Sequence, residues 1–335
     1  MTLSQLLGPT GFVRAEASSI VACASRAPSI HNTQPWRWTF DGHVLDLRAD
    51  RTRQLHVADR DGHSLLISCG AAAELTALAL RTHGWTSNVS VLPDVTDPDL
   101  LVRFTLTGRD QSDPQAAGMV TVAAGRRSER RAFGPGPVAV EVIDRLREAA
   151  QFAGVYAHFP SRAEEMVELA VVVSSADRFQ RADPLFAAEV ASWRRDGADD
   201  GIPDSVIPEV PAHSPRHTDM PLRDFEAGIA GSQLITAGAD EKPLIAVIFT
   251  DTDTSADRLN AGRAMMRLMI QAELDGIASC PLSQSVDLLA FRTRLRTLMS
   301  WNGHPQMMLR LGHRPAGHPA PLTARRPVDD VLTMT

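Results

Sequence analysis

Two long apolar stretches with matching glycines constrain this chain more than any other feature. Gly70 and Gly84 bracket one, Gly262 and Gly276 bracket the other, and both gaps are 14 residues. The two are offset by 192 residues, whereas helices starting near Glu16 and Glu141 are offset by 125. The difference predicts two related units, 1–112 and 113–335, with an insertion at about 183–240 in the second. The irregular stretch 196–222, with five prolines, lies inside that insertion. A long excursion of this kind is a lid, a binding loop or disordered.

The chain has 335 residues, which corresponds to about two domains at ~150 residues each. It is long enough to bury a core without metal or disulfide staples. Lys+Arg total 34 against 40 Asp+Glu, a net charge of −6, which argues against a nucleic-acid partner. Lys242 is the single lysine, so any Schiff-base chemistry would rest on that one position. Cys23, Cys69 and Cys280 are far apart and form no CxxC pair, so neither a zinc site nor a disulfide framework is expected. Free thiols fit a reducing cytoplasm. The first residues show no basic segment followed by an apolar run, so no secretory signal is expected. The run Leu244 to Phe249 reads as a buried strand and is too short to cross a bilayer, so no membrane association is expected.

Helical periodicity is expected over 13–25, ending at Pro28. Strands follow near 36–40 and 43–48, joined by Asp41-Gly42, a strong hairpin signal. A helix near 64–83 stops at Gly84, and strands near 86–91 and 100–107 complete the first half. The second half predicts helices near 114–125, 138–152, 162–181, 224–236, 255–275 and 285–299. Its strands fall near 155–159, 243–249 and 305–311, before a Pro-rich tail.

Three segments carry candidate chemistry. In Arg26 to Trp38, Pro28 and Pro35 fix φ on either side of a short polar stretch. Such a loop sets its amides and the Ser29, Asn32 and Gln34 side chains in fixed directions, which suits a planar heterocycle or simply a capped helix end. In Arg126-Arg127-Ser128-Glu129-Arg130-Arg131, four arginines within six residues form either a phosphate socket or a solvated turn paired with acids. In Asp275 to Gln284, small residues and Pro281 let backbone approach a ligand. There Cys280 reads as a nucleophile or, more commonly, as buried structural cysteine. His213 and His217 are four apart but in a proline-containing stretch, which argues against a helical metal pair. No G-x-G-x-x-G, P-loop or G-x-S-x-G occurs.

The strings match a known pattern. Pro28-Ser29-Ile30-His31-Asn32-Thr33-Gln34-Pro35-Trp36 resembles the P-S-x-x-N-x-Q-P-W segment of FMN-dependent nitroreductases. Arg126-Arg127-Ser128-Glu129-Arg130 resembles their R-R-S-x-R phosphate motif, and Gly276 to Ser283 their G-x-x-S-C segment. Leu311-Gly312-His313 and Arg325-Arg326-Pro327 resemble the late strand and the C-terminal arginine segment. The phosphate motif follows P-S-x-x-N instead of preceding it, and Phe133 lies one residue later than usual. The order resembles the Acg-type branch, in which two nitroreductase units are fused.

The resemblance implies an α+β nitroreductase-like pseudo-dimer with one FMN site built from both halves, so that a monomer suffices. Pro28, Ser29, Ile30 and Asn32 would line the flavin ring. Arg126, Arg127, Ser128 and Arg130 would come from the second half with Arg325 assisting, Arg126 and Arg325 on the phosphate and Arg130 nearer the ring's N1/O2 edge. Pro281, Leu282 and Ser283 would face its N5/O4 edge. It further implies NAD(P)H as a transient donor and a nitroaromatic or quinone as a small aromatic acceptor, with no side-chain nucleophile or metal. The insertion raises the alternative of FMN storage under a covering lid, with little turnover.

Overall fold

The computed structural model describes residues 14–207, 241–298 and 302–335. Its centre is a pair of crossed helices, α2 (His63–Thr82) and α7 (Ser255–Leu274). They meet where neither has a side chain. A Cβ on Gly70 would drive into the carbonyl oxygen of Leu259, and a Cβ on Gly262 into that of Ile67. The contact is reciprocal: Ile67 and Leu259, like Gly70 and Gly262, are 192 apart in sequence. Two backbones this close allow Cα–H···O contacts and leave no gap to fill.

Two sheets flank the crossing. The first runs β3 (Trp85–Val91), β4 (Leu100–Arg109), β2 (Val44–Ala49), β1 (Trp36–Phe40), β9 (Leu332–Met334). Pairing is antiparallel except at β1/β9. In β1, Trp36, Trp38 and Phe40 are buried while Arg37 faces out, the alternation of a sheet covered on one face. The hairpin at Asp41-Gly42 forms as expected: Asp41 Oδ1 accepts the His43 and Val44 N–H groups, and Gly42 takes φ 94°.

The second sheet, all antiparallel, runs β5 (Val155–His158), β6 (Leu244–Thr250), β8 (His304–His313), β7 (Ile277–Leu282). Here β6 and β8 are almost continuously buried, because both faces are covered. One face meets the α7 core. The other takes Leu169, Val172 and Val173 of α5 (Ala163–Arg181), Val286 of α8 (Gln284–Asp287) and Leu295 of α9 (Leu289–Leu298). Further helices are α1 (Arg14–Ala24), α3 (Pro114–Gly125), α4 (Val140–Ala150), α6 (Pro184–Ser192) and α10 (Val328–Val331). One apolar core runs from α1 and the first sheet through α2 and α7 into the second.

Several expectations need correction. The stretch 285–299 is two helices, because Leu288 is extended (φ −103°, ψ 122°). Residues 277–282, read as a ligand-facing segment only, form edge strand β7, where Pro281 needs no ladder partner. The C-terminal tail adds β9 to the first sheet. Helix α6 was missed, although Asp183 caps it through the Leu185 N–H and Pro184 sits in its first turn. Leu244 to Phe249 is not the most membrane-like stretch. Helix α2 is long and apolar enough to cross a membrane, yet it lies almost wholly inside the core. The helix expected at 224–236, the His213/His217 pair and the insertion beyond 207 lie outside the described residues.

Replacing Gly262 with Ala should destabilise the chain by about 3 kcal/mol or more in urea unfolding, since neither helix backbone can yield. Gly118→Ala, on α3 with open space around it, should instead stabilise by roughly 0.5–1 kcal/mol.

Candidate functional site

Two adjoining cavities lie beside the helix crossing. The larger is walled by Pro28, Ser29 and Ile30, by Ser64, Ile67 and Ser68 of α2, by Met265 of α7 and by Cys280 to Ser283. The smaller is lined by Asn32, Arg126, Arg127 and Arg325 among others. Pro28, Ser29, Ser128 and Arg130 line both. All twelve residues singled out in the sequence therefore converge here from four distant stretches. Ser64, Ser68 and Met265 were missed, although two serines four apart on an apolar helix were a readable signal.

The 26–36 loop is held in an unusual conformation. His31, Asn32 and Gln34 take φ of 45°, 53° and 50°, a left-handed region that non-glycine residues seldom occupy. The Ser29 hydroxyl accepts the Gln34 N–H at 3.0 Å, and the Ile30 N–H reaches Ser68 Oγ at 3.2 Å. The amides expected to face a heterocycle do other work. Asn32 Nδ2 donates to the carbonyls of Gly201 (3.0 Å) and Ala324 (3.3 Å). Gln34 Nε2 donates to Asp199 O at 2.8 Å, and its Oε1 accepts the Arg326 N–H at 2.9 Å. Asn32 thus lines only the smaller cavity, and Gln34 is buried away from both.

Those bonds tie down the stretch 193–202, which lies within the expected insertion. Ile202 forms part of the larger cavity's wall. Asp200 pairs with Arg53 and Arg195, and both guanidiniums lie over the Trp193 ring, at 5.3 Å and 4.4 Å. Glu189 of α6 accepts the Val57 and Ala58 N–H groups, and Phe186 and Val190 pack on Leu55 and Ala58.

Residues 126–131 run alongside β7: Ser128 bridges Ser279, and the Glu129 N–H donates to Ser279 O at 2.9 Å. Glu129 is taken up by Arg131 through two bonds of 2.7 and 2.6 Å. Arg126 is buried, yet its Nε and Nη1 have no protein partner, nor has Arg127 Nε. Burial pushes the Arg126 guanidinium down to about 10, with Arg26 and Arg130 adding to the effect and Glu273 opposing it. Burial also pushes Arg325 down to about 9, assisted by Arg26 and Arg126. Arginine stays charged at ordinary pH, so these depressions measure desolvation and repulsion among crowded cations. Native interiors seldom leave such donors unpaired. A doubly charged anion of phosphate size satisfies both demands. Arg325 contributes mainly charge, since its own donors reach the carbonyls of Ser25, Thr323 and Ala324.

Cys280 is buried, and burial raises its thiol. It is a wall group, not a thiolate. Among the described residues no His/Cys/Asp/Glu cluster has the geometry to hold a metal ion.

Comparison with known proteins identifies the family. Residues 123–313 match the model of the Nitroreductase family. A Mycobacterium tuberculosis protein provisionally named NAD(P)H nitroreductase Rv3131 is 31% identical over 94% of this chain and 90% of its own length. The mycobacterial protein provisionally named NAD(P)H nitroreductase acg is 30% identical over 94% of both. A solved Desulfitobacterium hafniense nitroreductase with bound FMN shares 16% identity over 64% of this chain and 97% of its own, with a TM-score of 0.38. The chain belongs to the nitroreductase family, and its fold is the α+β fold of that family.

Inorganic phosphate should raise the melting temperature of the wild-type chain, by the equivalent of about 2.7 kcal/mol at one hundred times its Kd. Arg126→Gln should lose most of that stabilisation. An equal gain in both proteins would remove the arginine cluster as the anion site.

Proposed function

We propose that the two cavities together hold one FMN and that the chain is an NAD(P)H-dependent flavin oxidoreductase acting on nitroaromatic or quinone acceptors. The observation that carries this reading is the junction itself: a charged socket short of an anion opens directly into an apolar-walled slot. FMN has that shape, a phosphate tethered to a planar ring. When bound, it supplies the hydride chemistry, and the protein supplies position and charge.

Each residue then has a task. Arg126 and Arg127 receive the phosphate, and Arg325 adds charge behind them. Ser128 and Arg130 stand at the join. From there Arg130 balances negative charge arising in the ring cavity. Pro28, Ser29 and Ile30 form one wall for the ring, and Pro281, Leu282 and Ser283 the other. Asn32 fixes the loop that carries them.

The same reading makes the chain a pseudo-dimer of halves 1–112 and 113–335, which pair through α2 and α7. The 192-residue reciprocity at Gly70 and Gly262 supports this, because a two-fold contact places each residue opposite its counterpart's neighbour. One chain then suffices for one site.

A second reading, FMN storage, is favoured by one feature. The strap 193–202 is fastened to the site loop by Asn32, Gln34 and Arg53, and its Ile202 helps close the cavity. A fixed strap excludes acceptors.

Protein purified without added cofactor should show flavin absorption that bleaches under anaerobic NADPH or NADH. Bands that persist with both nucleotides yet bleach with dithionite would favour storage. In that case Asp200→Asn, which loosens the strap, should raise acceptor reduction by about tenfold. Arg126→Ala should retain little flavin, and undiminished flavin content would sink the phosphate assignment.

A further inference from the structure

Two buried carboxyl groups lie behind the wall of the larger cavity without lining it themselves. Asp59 precedes α2, and Asp287 ends α8; both are buried. Ser64 links them. Its backbone N–H donates to Asp59 Oδ1 at 2.9 Å, and its hydroxyl donates to Asp287 Oδ1 at 2.7 Å. Ser283 Oγ donates to the other oxygen, Asp287 Oδ2, at 2.8 Å. Ser64 and Ser283 both line the cavity, so two hydroxyls connect one buried carboxyl to the space where a substrate would lie.

Capping α2 requires a single carboxylate, and Asp59 already accepts the Ser64 and Leu65 N–H groups. A second carboxyl beside it adds repulsion. Burial, with Asp287 next, pushes Asp59 up to about 7. Such a pair holds one proton between its members near neutrality. The partners decide where that proton sits. Backbone N–H groups can only donate, which favours charge on Asp59. Hydroxyls can turn from donating to accepting, so Asp287 keeps both serine partners when it takes up the proton.

The surrounding charges are accounted for. Asp61 faces Asp59 from the same turn and adds to the upward push. Arg292 of α9 contacts His63, Asp61 and Asp253, and Arg258 of α7 contacts Asp61 and Asp253. His63 is held neutral, first by burial and then by Arg292. On α5, which packs against α8, Asp177 is paired with Arg181.

We infer that Asp287 is the proton reservoir for the reduced acceptor, acting through the Ser64 or Ser283 hydroxyl, with Asp59 as its charged partner. This rests on the oxidoreductase reading. An acceptor that takes a hydride gains two electrons and becomes an oxyanion. The serine O–H breaks as the acceptor O–H forms. The Asp287 O–H breaks as the serine O–H re-forms, leaving Asp287 a carboxylate that water later reprotonates.

Two measurements on the full chain test this. Infrared titration of the wild type, which needs neither flavin nor turnover, should show a carboxylic-acid C=O band at pH 6 that disappears as pH rises. Asp287→Asn should lack it. Absence of the band at pH 6 in the wild type, or an unchanged band in Asp287→Asn, overturns the proposal. In stopped flow, acceptor reduction by the pre-reduced holoprotein should slow about 100-fold in Asp287→Asn and lose its fall with rising pH. Flavin content and reduction by nucleotide should be unchanged. An unaltered pH profile in Asp287→Asn also overturns it. A chain that binds no flavin defeats the oxidoreductase reading instead, and the infrared result still decides whether the carboxyl pair shares a proton.

Discussion

Everything in this molecule hangs on the place where α2 and α7 cross with no side chain between them. Gly70 and Gly262 bring two helix backbones into direct contact, with the Leu259 and Ile67 carbonyls occupying the space a Cβ would need. The crossing fixes the distance between the two sheets. It also sets Ser64, Ile67 and Ser68 of α2 opposite Met265 of α7 across one cavity. A wider crossing would part the walls of that cavity, and no adjustment of surface loops could restore them.

Around this frame, charge and conformation are spent on one corner. Three non-glycine residues within the 31–34 loop hold left-handed φ, a state that costs of order 1–3 kcal/mol each and persists only where neighbours enforce it. The enforcing bonds come from the strap and from the C-terminal segment, through Gly201, Asp199, Ala324 and Arg326. Arg126 is buried and Arg325 half-buried beside Arg26, in mutual repulsion. Strain and like charge concentrated in one place are the mark of a site shaped for a ligand, not for stability.

Much of this was legible in the sequence, and the gaps have physical causes. The hairpin at Asp41-Gly42, the capped start of α3 at Asp113-Pro114 and the paired glycines all carry local signals that packing did not override. The arginine string and the P-S-x-x-N string marked the cavity walls. Strand β7 was obscured by Pro281 and small residues, which an edge position tolerates. Strand β9 has three residues and forms only by pairing with β1, some 290 residues earlier, so nothing local announces it. The hydrogen bonds of Asn32 and Gln34 were not legible because their partners, Gly201 and Asp199, are backbone carbonyls of a distant segment. Ser64, Asp59 and Asp287 meet only in three dimensions.

The central claim is that one chain, by folding its two halves around the glycine crossing, builds one complete flavin site. Light scattering coupled to size exclusion, with flavin absorbance read across the same peak, tests it most directly. The account predicts one FMN per 36.3 kDa chain in a monomeric peak. Two flavins per chain, or flavin carried only by a dimer peak while the monomer peak is colourless, would contradict it.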